Sequence, residues 1–284
     1  MKLSILGARV IDPSSGLDQI TDIHVEACKI VALGAAPAGF TAVETIDANG
    51  LVAAPGLVDL NVALREPGYS RKGSIASETR AAAAGGVTSL CCPPKTKPVL
   101  DTSAVAELIL DRAREAGNTK VFPIGALSKG LDGEQLAELV ALRDAGCVAF
   151  GNGLESFRNT RTLCRALDYA ATFDLTVIFN SQDHDLADGG LAHEGAVASF
   201  LGLPGIPETA ETVALARDLL LVEQTGVRAH FSQLTSARGV ALIAQAQARG
   251  LKVTADVALY QLILTDEALI DFSSLYHVQP PLRT

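Results

Sequence analysis

Five histidines, His24, His184, His193, His230 and His277, are the side chains best suited to hold a metal ion, yet none stand in an HxH or HExxH spacing. The densest polar stretch is Asp183-His184-Asp185-Leu186-Ala187-Asp188, with His193-Glu194 close behind. Carboxylates beside imidazoles suit a divalent cation, and a solvated acidic loop is the competing reading. Cys91-Cys92, followed by Pro93-Pro94, offers a thiol nucleophile if a base lies near, or two small buried side chains if none does. Arg65, in Arg65-Glu66-Pro67-Gly68, presents a guanidinium fork that suits a carboxylate, unless Glu66 or a neighbouring loop takes it. Gly151-Asn152-Gly153 matches neither GxxxxGK[ST] nor GxGxxG, so nucleotide binding has no support.

These residues must be carried by a scaffold, and its order can be read along the chain. Residues 1–54 hold short strand-like runs (KLSILGARV, TDIHVEA, KIVALG, AVETIDA) broken by turns such as Asn49-Gly50, which predicts a small antiparallel β-sandwich lobe. From 55 to 284 the grammar becomes strand then helix. GLVDLNVAL precedes a predicted helix near 75–85, GVTSLC one near 102–116, KVFPIG one near 133–145, and CVAF one near 157–173. LTVIFN leads to a helix near 208–225 and VRAHFS to one near 236–249, and KVTADVAL closes the series with a short helical candidate at 266–271. That alternation predicts an α/β fold, a TIM-type (β/α)8 barrel represented by about seven strand-helix units. A barrel closes on eight strands. The expectation is therefore a sequence drawn from a longer protein, with cover from another chain as the alternative.

Barrel chemistry sits at the carboxyl ends of strands. Side chains two apart on a strand share a face, so Asp59, Asn61 and Ala63 should look the same way. A metal-dependent barrel hydrolase would place imidazoles at 61 and 63; here stand an amide and a methyl group. At the sixth strand end His230 and Ser232 share a face, leaving Gln233 on the other, and a lone strand histidine such as His230 is expected to be a hydrogen-bonded structural group. A net charge of −9 argues against nucleic acid, and the lack of a Lys/Arg run longer than Arg71-Lys72 argues against an anionic membrane surface. The five cysteines form no CxxC pair, and MKLSILGARVID lacks the apolar run of a signal peptide, so a reducing cytoplasm is the expected location.

Several long segments together resemble bacterial dihydroorotase, a zinc enzyme class of the amidohydrolase superfamily. PGLVDLNVALREPG is similar to that family's PGxxDxHxHxREPG, GGVTSLCCPPKTKP to GGxTTxxxMPNTxP, and GCVAFGNG to GCVAFTDDG. LGLPGIPETAE, VTADVALYQL and HVQPPLR have counterparts in the same order. By this resemblance the family's metal-ligand positions fall on Asn61, Ala63, Asn152, Asn180 and Gln233, each an amide or a methyl group. The carboxylate-gripping arginine is kept as Arg65, the substrate-binding asparagine becomes Lys95, and the catalytic aspartate beyond the eighth strand lies outside the sequence.

The resemblance implies a dihydroorotase-like protein with no catalytic residues, no metal and no cofactor. Arg65 and Lys95 would remain as an anion-binding pair. Family members lacking the metal site assemble with aspartate carbamoyltransferase, so its catalytic chains, together with self-association, are the implied partners. The alternatives are a small-molecule sensor using the emptied pocket, and an active hydrolase with a metal at Asp183–Glu194 or a thiol at Cys91 or Cys92.

Overall fold

The computed structural model describes residues 1–155 and 157–284, which form two compact units, Met1–Leu57 and Val58–Thr284. In the first, β1 (Lys2–Asp12), β2 (Leu17–Glu26) and β3 (Lys29–Leu33) pair antiparallel, but β4 (Glu44–Asp47) and β5 (Val52–Ala53) run parallel to β1. The lobe is thus a mixed sheet rather than the antiparallel one predicted. The chain between β3 and β4 crosses back before pairing, which no local turn signal reveals. Ala8, Val10, Ile23 and Ala48 make its small core. His24 is buried there. Its Nε2 donates to the Gly34 carbonyl at 2.9 Å, leaving Nδ1 to accept from Ser4 Oγ at 2.9 Å, a structural arrangement.

β6 (Leu57–Asp59) starts at the boundary and leads into the second unit, with α1 (Ile75–Ala84), then β7 (Val87–Cys92) and α2 (Ser103–Ala116). It continues through β8 (Lys120–Ala126), α3 (Leu139–Asp144), β9 (Ala149–Gly151) and α4 (Thr160–Thr172) to β10 (Thr176–Phe179). An excursion follows, made of α5 (His184–Ala187), β11 (Ala192–His193), α6 (Ala196–Leu201) and β12 (Gly205–Ile206). Then come α7 (Glu208–Thr225), β13 (Arg228–Phe231), α8 (Ala237–Ala248) and β14 (Val253–Ala255). The seven parallel strands lie in the order β14-β13-β10-β9-β8-β7-β6, an incomplete TIM-barrel-like sheet.

Local chemistry explains the helix limits. Asn159 accepts from the backbone N–H groups of Arg161 and Thr162, so α4 starts later than predicted, after a cap the hydrophobic pattern does not show. Gly117 and Gly226 end α2 and α7 at φ values of 65° and 69°, where a Cβ would be strained. The helix predicted near 133–145 shrinks to α3, because Gly133 sits at φ 74° and Asp132 Oδ1 accepts from the Glu134 backbone, which makes a turn. The segment predicted helical at 266–271 is a 3-10 turn, Asp266–Leu269.

Strand alternation sorts the core into two sides. Cys91, Ile124 and Ala149, with Ile178 against them, fill the inside of the curled sheet. Their neighbours Leu90, Cys92, Phe150, Val177 and Phe231 pack outward against the helices, and Phe179 stacks on Phe231 with ring centroids 5.1 Å apart. Among the described residues no helix is long and apolar enough to cross a membrane.

Candidate functional site

Register decides which residues meet at the top of the sheet. Phe179 pairs with Phe231, so the chain leaves β10 and β13 at one level and brings Asn180 beside Gln233. Ala126 pairs with Gly151, which does the same for Leu127 and Asn152. β6 is shorter than the predicted strand and ends at Asp59, so Asn61 and Ala63 lie in the extended segment beyond it, where the Val62 N–H still donates to the Cys91 carbonyl at 2.9 Å. A cleft of about 720 Å³ opens there, lined by Asn61, Ala63, Arg65, Lys72, Lys95, Asn180 and Gln233 among others.

Asn152, just below the cleft, and the Asn180–Gln233 pair that lines it are already hydrogen-bonded. Asn152 is 5% exposed; its Oδ1 accepts from the backbone N–H groups of Leu127 and Ser128 at 3.1 and 3.2 Å, and its Nδ2 donates to Ser128 Oγ at 2.8 Å. Asn180 Nδ2 donates to Gln233 Oε1 at 3.3 Å. Strand alternation pointed Gln233 away from this face. The strand stops at Phe231, however, and a φ of 60° at Gln233 turns its side chain back to Asn180.

The remaining candidates fall into place one by one. His230 Nε2 donates to Asp256 Oδ2 at 2.8 Å while Nδ1 meets Thr254 Oγ1 at 2.8 Å, so this histidine is held in a hydrogen-bonded network. Asp256 also accepts from the Gln233 N–H at 2.7 Å. Burial raises the Asp256 carboxyl, but these donors together hold it below the ordinary carboxylate range. Glu66 Oε2 accepts from the Ile75 N–H at 3.0 Å and so caps α1, and Arg65 makes no ion pair among the described residues. Lys95 is tied to Glu155, with Nζ to Oε1 at 2.5 Å. Cys91 and Cys92 are both buried; desolvation pushes the first thiol up and the second up to about 12, which suppresses the thiolate that nucleophilic attack requires. Asp183 caps α5 by accepting from the Leu186 N–H at 3.0 Å, and His193 Nδ1 accepts from Arg283 at 2.8 Å. Within the polar stretch from 183 to 194, Asp183 thus serves a helix cap and His193 a long-range contact to Arg283.

Zinc hydrolysis needs imidazole and carboxylate donors around the ion, with one position left open for water. The donor set here does not fit. Its groups are neutral, and Asn152 and Asn180 are engaged in bonds to protein. Among the described residues no group of three or more His, Cys, Asp or Glu side chains converges to hold a metal.

The Dihydro-orotase-like family matches residues 50–238. A dihydroorotase-like protein of Pseudomonas putida is 80% identical over 284 residues, covering 100% of this chain and 67% of the relative. The chain belongs to the dihydroorotase-like family. A dihydroorotase of Trichlorobacter lovleyi is 41% identical over 283 residues, with 100% of this chain and 67% of that protein covered. The solved L-hydantoinase (dihydropyrimidinase) of Arthrobacter aurescens superposes with a TM-score of 0.81 at 24% identity, over 99% of this chain and 64% of the other. This dihydroorotase-like chain thus spans about two thirds of the length of the proteins it matches.

Two buried acids on α7 escape the sequence reading, because hydrophobic pattern and motif spacing carry no signal for a charge inside a helix face. Glu211 on α7 accepts four hydrogen bonds from Thr235 and Ser236, and lies at the end of the LGLPGIPETAE segment. Asp218, also on α7, is 2% exposed and accepts from Ser181 Oγ at 3.1 Å and from Arg217 Nε at 2.9 Å. Burial pushes its carboxyl up from the usual 3.8 to about 6, against the opposing pull of Arg217 and Ser181. A folded-state pKa above the unfolded one means stability that is full below about 4 and is lost as pH rises through about 6. That loss amounts to roughly 3 kcal/mol. Thermal melts from pH 4.5 to 8 are expected to show a falling trend in the wild type that Asp218→Asn flattens. Identical pH profiles for the two proteins would refute the assignment.

Proposed function

We propose that this chain is a non-catalytic dihydroorotase-like protein whose role is structural, helping to assemble or stabilise aspartate carbamoyltransferase catalytic chains in the cytoplasm. One observation carries the non-catalytic part. The vestigial ligand positions Asn61, Ala63, Asn152, Asn180 and Gln233 offer no charged or imidazole donor, and Asn152 and Asn180 are used as hydrogen-bonding struts. A scaffold that keeps the parallel sheet, its helices and its core while giving up the cation-holding groups fits selection for shape over turnover.

The partner follows from the family resemblance. Co-expression tests it: the carbamoyltransferase chains are expected to co-elute with this protein in a particle larger than either forms alone. Separate elution, with carbamoyltransferase assembly and activity unchanged when this chain is left out, would remove the proposal.

A second reading rests on Arg65. Arg65 lines the cleft without an ion partner among the described residues, and Lys72 lines it too, with Asp59 and Glu78 as the acidic members of the lining. A cleft combining cationic groups with amides suits a carboxylate-bearing amide as a bound ligand, with Lys95 joining only by releasing Glu155. Carbamoyl aspartate or dihydroorotate would then raise Tm, and Arg65→Ala would abolish the shift.

A further inference from the structure

Asp266 opens a 3-10 turn and is 3% exposed, yet its Oδ2 meets no donor among the described residues. Buried carboxylate oxygens ordinarily find partners, because desolvation without a hydrogen bond is costly. His193 on β11 faces the same glycine, Gly195, as this oxygen does. Arg283 Nη1 lies 2.8 Å from His193 Nδ1, and the same guanidinium also donates to the Ile206 carbonyl at 2.9 Å and to Thr235 Oγ1 at 3.0 Å. A guanidinium only donates, so Nδ1 must accept and the ring proton resides on Nε2. Nε2 is thereby made a donor.

Gly195 connects the two groups. A Cβ placed on it would lie 3.9 Å from His193 Nε2 and 3.9 Å from Asp266 Oδ2. One small volume is therefore flanked by an N–H donor and a carboxylate acceptor that make no bond to each other. We propose that His193, Gly195 and Asp266 build a site for a single water molecule, which accepts from Nε2–H, donates to Oδ2 and clasps the excursion after β10 to the segment that ends in Arg283. Water is the ligand whose size and paired donor–acceptor character match the space.

Gly195→Ala gives a sharp test. The backbone there is extended, with φ −178°, and the nearest contact to the new methyl is 3.7 Å, so alanine fits. Gly195 also caps the N-terminus of α6, where alanine is a poorer cap than glycine, so the substitution is read both in the unaltered protein and in an Asp266→Ala background, and a cap effect alone would lower Tm equally in both. With a bound water, the methyl displaces it and strands both the donor and the acceptor. The expected result is a Tm lowered by about 2–4 °C in the unaltered protein and by less in the Asp266→Ala background, and a high-resolution crystal structure of the unaltered protein with a water in hydrogen-bond reach of both atoms. An unchanged or higher Tm in Gly195→Ala, an equal loss in both backgrounds, or no water density between Nε2 and Oδ2, would overturn the proposal.

Discussion

Dihydroorotate mixed with the purified, zinc-supplemented protein is expected to hydrolyse no faster than in buffer. Metal-dependent hydrolysis works by lowering the pKa of bound water from about 15.7 to about 7 and by polarising the carbonyl under attack. Both effects require an ion held by imidazole and carboxylate donors. At the mouth of this sheet the candidate positions are Asn61, Ala63, Asn152, Asn180 and Gln233. A neutral amide is a poor ligand even when free, and Asn152 Oδ1 is already the acceptor for two backbone N–H groups. The loss relative to a working enzyme is on the order of 10⁶-fold or more. Putting back the first pair alone, Asn61→His with Ala63→His, should leave the rate at background, because Asn152, Asn180 and Gln233 still provide no anionic or imidazole donor. Zinc content measured on the same samples separates the outcomes. Hydrolysis that rises in proportion to bound zinc, in protein free of contaminating enzyme, would show the inference to be wrong.

Glu211→Ala is expected to cost about 3 kcal/mol of folding stability, the order for leaving buried donors without the charged acceptor that satisfied them. The Glu211 carboxylate accepts from Thr235 N and Oγ1 at 2.8 and 2.5 Å and from Ser236 N and Oγ at 3.1 and 2.6 Å. Ser236 Oγ in turn accepts from the Gly239 N–H at 2.9 Å and so caps α8. One acid thus fixes the start of α8 against α7, and its removal leaves four buried or half-buried donors without an acceptor. Close packing enforces the arrangement, since a Cβ at Gly239 would come within 2.5 Å of Glu211 Oε1. Glu211→Gln should be milder than alanine but still destabilising, because its amide N–H₂ would face donors on one side. Urea unfolding midpoints at constant slope give the comparison. An alanine variant within about 1 kcal/mol of wild type would mean that the network relaxes onto water.

How much of this was legible in the residues differs from place to place. The alternation of strand and helix was written locally, in apolar period, helix stops and turn residues, and α7 runs over the span that its pattern predicts, Glu208–Thr225. The chemistry available at position 63 was equally local, since Ala63 has no donor atom whatever surrounds it. Register and φ lie beyond such reading. Gln233 seemed to point away from Asn180 until the early end of β13 and a φ of 60° turned it back, and Lys95 seemed free until the loop after β9 brought Glu155 to it. Glu211 and Asp218 carry no pattern at all, because whether a carboxylate is buried depends on which elements pack against its helix. The sequence by itself determined the kind of scaffold and which side chains stand at positions 61, 63, 152, 180 and 233, because both depend on residue identity and near-neighbour spacing. Only the tertiary structure decided what the surviving polar groups do, because a hydrogen bond is set by angstrom-scale placement between segments that can lie 53 residues apart, as Asn180 and Gln233 do.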